Sequence, residues 1–185
     1  MLDLILGSSS PFRAALLGKL NLPFTIASPD IDETAGHDES AHELVERLAK
    51  QKALAIARNK PEALIIGSDQ VAVIDGQILG KPGDHTTATQ QLKSASGKTV
   101  QFLTGLALYD GKQQKMQSLV DPFNVTFRIL SDSDINAYLL AEKPYQCAGS
   151  FKSEGLGICL FDRLSGEDPN SLIGLPLIQL TRLLT

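Results

Sequence analysis

Three serines, Ser8, Ser9 and Ser10, end an apolar run and precede Pro11, Phe12 and Arg13 in the stretch LILGSSSPFRAALL. Ser10 and Pro11 alone would start a helix, because serine caps and proline costs nothing at the first helical position. Ser8 and Ser9 exceed that need. Hydroxyls and backbone N–H groups at a helix N-terminus form an anion site, reinforced by the helix dipole. Arg13 falls in the first turn, where a cation opposes the dipole. A bound anion would make the placement favourable, and the guanidinium fork suits phosphate oxygens. The plainer alternative is a capped helix with a solvated arginine. This is no P-loop, since the Gly-Lys-Ser/Thr ending is absent.

A second cation stands among apolar residues. Wound as a helix, Ala41–Asn59 puts Val45, Leu48, Ala49, Ala53 and Ile56 on one side, with Lys52 at its centre. Glu43, Arg47, Lys50 and Arg58 fall on the other side and read as a solvated face. An unpaired ammonium among core residues is costly. Lys52 must therefore snorkel past the helix edge or meet a negative group. On its apolar neighbours alone, methionine would be a neutral replacement.

The negative group has a candidate in LIIGSDQVAVI, where Asp69 interrupts two apolar runs. A buried carboxylate needs a cation, a metal or hydrogen bonds; the bland reading is a structural aspartate at a strand bend. Lys81 follows in GKPG, and the loop-like SPDIDET supplies Asp30, Asp32 and Glu33. Together these residues make a set, with Ser8, Ser9, Arg13, Lys52 and Lys81 suited to phosphate. Glu33 and Asp69 are suited to a divalent cation or water. Phosphoryl transfer needs that mixture, because its catalysis is mostly positioning and charge neutralisation.

The elements that must position this set alternate between strand and helix. Strands are expected at Leu2–Leu6, Phe24–Ala27, Leu64–Ile74, Gln77–Leu79, Val100–Tyr109, Met116–Leu130 and Gly157–Asp162. Helices are expected at Pro11–Lys19, Ala41–Asn59, Thr86–Ser96, Ser131–Glu142 and Asn170–Leu184, the last interrupted by Gly174 and Pro176. Asp75-Gly76 is a two-residue hairpin turn. Hairpins beside crossovers predict an α/β fold with a mixed sheet.

The bulk composition agrees. The chain has 185 residues, of which 43% are apolar, enough for a single domain over 1–185 with a sizeable core. Its net charge is −4, which weighs against a nucleic-acid partner but not against a small phosphorylated ligand. No apolar run is long enough to span a membrane and no leader-like segment opens the sequence, so no membrane partner is expected and the expected compartment is the cytoplasm. Cys147 and Cys159 lack metal-ligand spacing and read as reduced thiols.

Several motifs in order resemble the Maf family of nucleoside triphosphate pyrophosphatases, also called septum-formation-inhibitor-like proteins. They are LILGSSSPFRAALL, the DET at Asp32–Thr34, RLAKQKA, IIGSDQV, GKP at Gly80–Pro82, FLTGLAL, GSFKSEGLG and IGLPL. The resemblance implies an elongated mixed sheet with flanking helices, in two lobes around a nucleotide cleft, like the inosine-triphosphate pyrophosphatases. It implies hydrolysis between the α- and β-phosphates with a divalent metal, Mg²⁺ or Mn²⁺, and a catalytic aspartate at Asp69. It also places base selection at Phe12, Gln70 and Glu154. An aromatic, glutamine and glutamate there resemble the branch acting on 7-methyl-GTP, which usually carries tryptophan at the first position. The dTTP/UTP branch carries arginine, threonine and glutamine. A methylated guanine ring is cationic and suits an aromatic face, and a carboxylate accepts from the guanine N1–H and amino group. The expected partner is thus a small nucleotide, with a homodimer left open. The rival readings are a dTTP/UTP pyrophosphatase and a non-catalytic nucleotide-binding regulator of cell division.

Overall fold

The computed structural model describes residues 3–185, so Leu2, expected in the first strand, lies outside the described residues. Strands β1 (Leu4–Gly7), β2 (Thr25–Ala27), β3 (Leu64–Ile74), β4 (Gln77–Leu79), β5 (Thr99–Asp110), β6 (Lys115–Phe127) and β7 (Phe161–Gly166) form one sheet. Their order is β2-β1-β3-β5-β6-β7, with β4 on β3. β1 runs parallel to β2 and to β3, whereas β4 and β7 are antiparallel to β3 and β6, so the sheet is mixed as expected. The helices are α1 (Pro11–Gly18), α2 (Ala41–Ala57), α3 (His85–Ala95), α4 (Asp132–Glu142), α5 (Pro169–Ile173) and α6 (Leu177–Leu184). No helix among the described residues is long and apolar enough to cross a membrane.

The chain divides into two compact units. The first holds the described residues up to Gln70, then Leu103–Asp121 and Asp168–Thr185; the second holds Val71–Phe102 and Pro122–Glu167. In the first unit β3 alternates faces, as a strand must. Ile66 joins Leu4, Leu6, Leu16, Leu17, Leu106, Leu175 and Leu180 in one apolar cluster. Ile65 joins Ile5, Ala53, Ile56 and Ala63 in another, on the side of α2. In the second unit Phe102, Phe127, Phe151 and Phe161 meet edge to face, with centroids 4.8–5.5 Å apart along the chain of contacts.

Local chemistry explains the element ends. Ser10 accepts from the Arg13 N–H with Pro11 at the first helical position. Ser40 with Glu43 and Ser131 with Asp134 form reciprocal capping boxes. Asp75 and Gly76 both take positive φ, 49° and 77°, as a tight hairpin turn requires. One strand differs from expectation. Of the expected strand Gly157–Asp162, the first four residues are not extended: Leu156–Leu160 coils as a 3-10 turn and β7 begins at Phe161. The Gly155 and Gly157 N–H groups both donate to the Lys152 carbonyl, at 3.2 and 3.1 Å, which curls the apolar GICL run back on its own loop.

The packing that matters most for the site is helix α2 on the strands beneath it. A Cβ on Gly67 would lie 2.0 Å from the Ala49 carbonyl oxygen, and one on Gly105 would lie 2.1 Å from that of Val45. Only hydrogen at these positions lets the helix backbone rest on the sheet. Gly67→Ala should therefore force α2 outward and cost about 2 kcal/mol, lowering Tm by about 4–8 °C. Gly18→Ala, at a position with open space, serves as the control and should leave Tm unchanged or slightly raised. Thermal denaturation of the two variants checks the contrast.

Candidate active site

Close approach of α2 puts Lys52 against β3. Lys52 is 6% exposed and Asp69 is 8% exposed. The Lys52 ammonium donates to Asp69 Oδ1 at 2.6 Å and pairs with Glu33 Oε1 at 2.8 Å. Of the two routes open to a lysine on an apolar face, it takes the second: it meets negative groups. Two carboxylates around one ammonium leave the cluster net negative, and a second cation belongs to the same field. Burial lowers the pKa of Arg13 from its ordinary value, while the charges of Asp69 and Glu33 oppose that shift.

Arg13 is aimed by the C-terminal segment. Its Nε donates to the Gly174 carbonyl at 2.8 Å, and its Nη1 lies 3.5 Å from Ser8 Oγ, at the limit of a hydrogen bond. Gly174 caps α5 in a left-handed conformation, φ 118°, which suits glycine. The same carbonyl accepts from Ser68 Oγ at 2.9 Å. One backbone oxygen thus ties the first turn of α1, strand β3 and the end of α5 together. Ser8 is buried and accepts from the Ser10 N–H at 3.1 Å, while Ser9 is exposed.

Gln70 faces away from Asp69, on the opposite side of β3. Its Nε2 donates to Thr104 Oγ1 at 2.9 Å and to the Ser171 carbonyl at 2.6 Å, with the Leu172 carbonyl at 3.2 Å. Carbonyl acceptors fix which end of the amide is nitrogen, so Oε1 is the atom left for other partners. Phe12 is 38% exposed on the first turn of α1. Lys81 and Glu154 belong to the second unit and are both exposed. In the first unit the structure brings Ser8, Arg13, Glu33, Lys52 and Asp69 into one electrostatic neighbourhood.

Two features escaped the sequence. The Gly174 carbonyl is a backbone group and leaves no residue-type signal. Arg47, read as part of a solvated face, instead grips Glu39, with Nε–Oε1 at 2.5 Å and Nη2–Oε2 at 2.7 Å. RLAKQKA places it on the same helix as Lys52, and an acid-rich loop just before α2 was the available hint.

The carboxylates reverse the expectation for Lys52→Met. Methionine suits the apolar neighbours but leaves Asp69 buried without its cation. Loss of one partner of a buried pair should cost about 3 kcal/mol. Lys52→Met combined with Asp69→Asn should recover most of it, because the stranded charge is gone. Chemical denaturation of the single and double variants checks this, and equal instability of both would mean that lost packing is the cause.

The sequence pattern of the Maf-like protein family matches residues 3–185. The 7-methyl-GTP pyrophosphatase of Colwellia psychrerythraea is 58% identical over 184 residues, covering 100% of this chain and 92% of that protein. That of Alcanivorax borkumensis is 59% identical over 181 residues, covering 98% and 92%. That of Pseudomonas aeruginosa is 57% identical over 184 residues, covering 100% and 96%. Among solved structures, the Staphylococcus aureus Ham1 protein matches with a TM-score of 0.51 over 84% of this chain and 89% of that one. Its sequence identity is 12%, so that likeness is one of fold. With the family pattern spanning the described residues and relatives identical at more than half their positions, this chain belongs to the Maf-like protein family.

Proposed function

We propose that this chain is a divalent-metal-dependent nucleoside triphosphate pyrophosphatase that hydrolyses 7-methyl-GTP to 7-methyl-GMP and pyrophosphate, removing a modified nucleotide. The observation that carries the chemistry is the buried Lys52 ammonium held between Asp69 and Glu33. Relatives that carry the 7-methyl-GTP pyrophosphatase name at 57–59% identity support the substrate. The reading implies a cytoplasmic setting, where nucleoside triphosphates are found.

In this reading Asp69 orients a water at the α-phosphorus and takes its proton. The water oxygen forms a bond to the α-phosphorus, and the bond to the α,β-bridging oxygen breaks. Pyrophosphate leaves with the electron pair. Lys52 and Arg13 neutralise phosphate oxygens, with Lys81 as a further cation, and Ser8 and Ser9 seat one end of the triphosphate. Such fixed charges are the main source of rate in phosphoryl transfer.

A divalent cation fits the donor chemistry of Glu33 and Asp69. Both offer hard carboxylate oxygens, and Mg²⁺ or Mn²⁺ is commonly held by one or two carboxylates together with substrate phosphates. When bound, such an ion supplies charge neutralisation to the triphosphate. Base choice rests on Phe12, Gln70 and Glu154. The exposed Phe12 ring suits a cationic methylated guanine, an attraction of about 0.5–2 kcal/mol. Glu154 can accept from the guanine N1–H and amino donors, which thymine and uracil do not present as a pair. Gln70 Oε1 is the acceptor its fixed amide leaves available.

The test is pyrophosphate release across 7-methyl-GTP, GTP, dTTP and UTP with Mg²⁺ or Mn²⁺. The expected result is the highest kcat/KM on 7-methyl-GTP. Asp69→Asn should lower kcat by about 10²–10⁴, the usual cost of losing a general base, while nucleotide binding persists. Near wild-type turnover in that variant would make Asp69 structural. Preferred hydrolysis of dTTP would transfer the chain to the other substrate class, and no turnover on any nucleotide would favour a binding role.

A further inference from the structure

Glu33 reaches Lys52 from a segment that has no helix or strand of its own. Residues 28–40, between β2 and α2, carry no regular structure, and the Glu33 side chain is 60% exposed. Burial therefore does not hold Glu33 in place, yet its carboxylate sits 2.8 Å from a buried ammonium. A catalytic group on an irregular loop needs a supporting shell to stay within reach of its partner. Arg47 ties this segment to α2 through Glu39 and the Thr34 carbonyl.

Arg47 holds the segment at two points. Its Nε and Nη2 grip the two oxygens of Glu39 as a fork, at 2.5 and 2.7 Å. Its Nη2 also donates to the Thr34 carbonyl at 3.1 Å, one residue beyond Glu33. Gln51 Oε1 accepts from Nη1 at 3.0 Å and steadies the guanidinium on α2. Each anchor is itself braced. Glu39 Oε2 accepts from the Gly36 N–H at 2.8 Å, and Asp32 Oδ1 accepts from the Thr34 N–H at 2.9 Å. Glu33 thus lies between a turn closed by Asp32 and a carbonyl pinned by Arg47. The Arg47 guanidinium, with the Gly36 N–H, pulls the Glu39 carboxyl down to about 2, so the grip stays ionised throughout an ordinary assay range. The helix that carries Lys52 also carries the residue that fixes the loop opposite it.

Solvated ion pairs as a class add little to stability. This one is forked and is joined to a backbone carbonyl, which makes it a device for geometry. We infer that Arg47, together with Glu39, is a positioning residue that holds Glu33 at the Lys52–Asp69 pair. The inference deepens the proposed pyrophosphatase reading and rests on it for its kinetic consequence. Arg47 acts through Glu33 and needs no contact with the nucleotide. Lysine cannot replace it, because a point charge cannot fork onto Glu39 and reach the Thr34 carbonyl together.

The experiment is a double-mutant cycle. Arg47→Met, Arg47→Lys and Glu39→Gln are made in the wild-type chain and in a Glu33→Gln chain, and 7-methyl-GTP hydrolysis is followed with Mg²⁺. Arg47→Met should lower kcat about tenfold or more, since small misplacements of reacting groups cost up to about 10²-fold. Arg47→Lys should fail to restore it, and Glu39→Gln should act in the same direction. In the Glu33→Gln chain Arg47→Met should change kcat by less than about twofold, because residues acting as one unit are not additive. An equal loss in both backgrounds would overturn the inference, as would wild-type turnover in Arg47→Met. If Arg47→Met does not fold, the Glu39→Gln cycle decides in the same way. Amide hydrogen exchange of the ligand-free protein gives a readout independent of turnover. The Thr34 and Gly36 amides should exchange at least about tenfold faster in the Arg47 variants while β3 stays protected. Unchanged exchange there would also overturn the inference, whereas a wild-type chain that releases no pyrophosphate would overturn the functional reading alone.

Discussion

The placement of Lys52 beside Asp69 depends on how closely helix α2 rests on its strands. At Gly67 and Gly105 the sheet presents no side chain, and the carbonyls of Ala49 and Val45 occupy the space a methyl group would take. That contact sets the height of α2. It is also what sets Lys52 within 2.6 Å of Asp69, two residues along β3 from Gly67. A helix lifted by one methyl group would separate the pair and leave the Asp69 carboxylate buried without its ammonium.

The pair is unusual in its balance. Lys52 serves two carboxylates, so the cluster retains negative charge even when complete. Arg13 offsets part of this field from the first turn of α1, held there by the Gly174 carbonyl. Such an arrangement is poorly suited to stability alone, since buried ion pairs seldom improve on apolar packing. It suits a site that must receive a polyanion and a divalent cation in the same place. Fixed ammonium and guanidinium groups meet the first, and carboxylate oxygens meet the second.

Much of this was legible in the sequence because the relevant signals are local. The bounds of β3, the hairpin at Asp75-Gly76 and the caps at Ser10 and Ser131 follow from residue type and near neighbours. Lys52 and Asp69 were visible as polar interruptions of apolar patterns, and that visibility reflects the cost of burying charge. What could not be read was the partnership of distant groups. Nothing local in Gln70 says that its amide nitrogen is committed to the Ser171 and Leu172 carbonyls, a hundred or so residues away. Nothing in Arg47 says that its exposed helix face is covered by a loop. The GICL run reads as extended because apolar periodicity cannot register that Gly155 and Gly157 both turn back to one carbonyl. Phe12 and Glu154 enter through likeness to a family, and local chemistry alone would leave each as an ordinary exposed residue.

In the proposed reaction the Lys52–Asp69 pair marks the point at which the α-phosphate is attacked. The most direct measurement is a crystal structure of the wild-type chain with the α,β-methylene analogue of 7-methyl-GTP and Mg²⁺, in which the scissile bond cannot break. Triphosphate oxygens are expected within hydrogen-bond distance of the Lys52 ammonium and the Arg13 guanidinium. The α-phosphorus is expected on the Asp69 side, with room for one water between. A triphosphate bound elsewhere, with Lys52 still closed on Asp69 and Glu33, would contradict the proposed reaction.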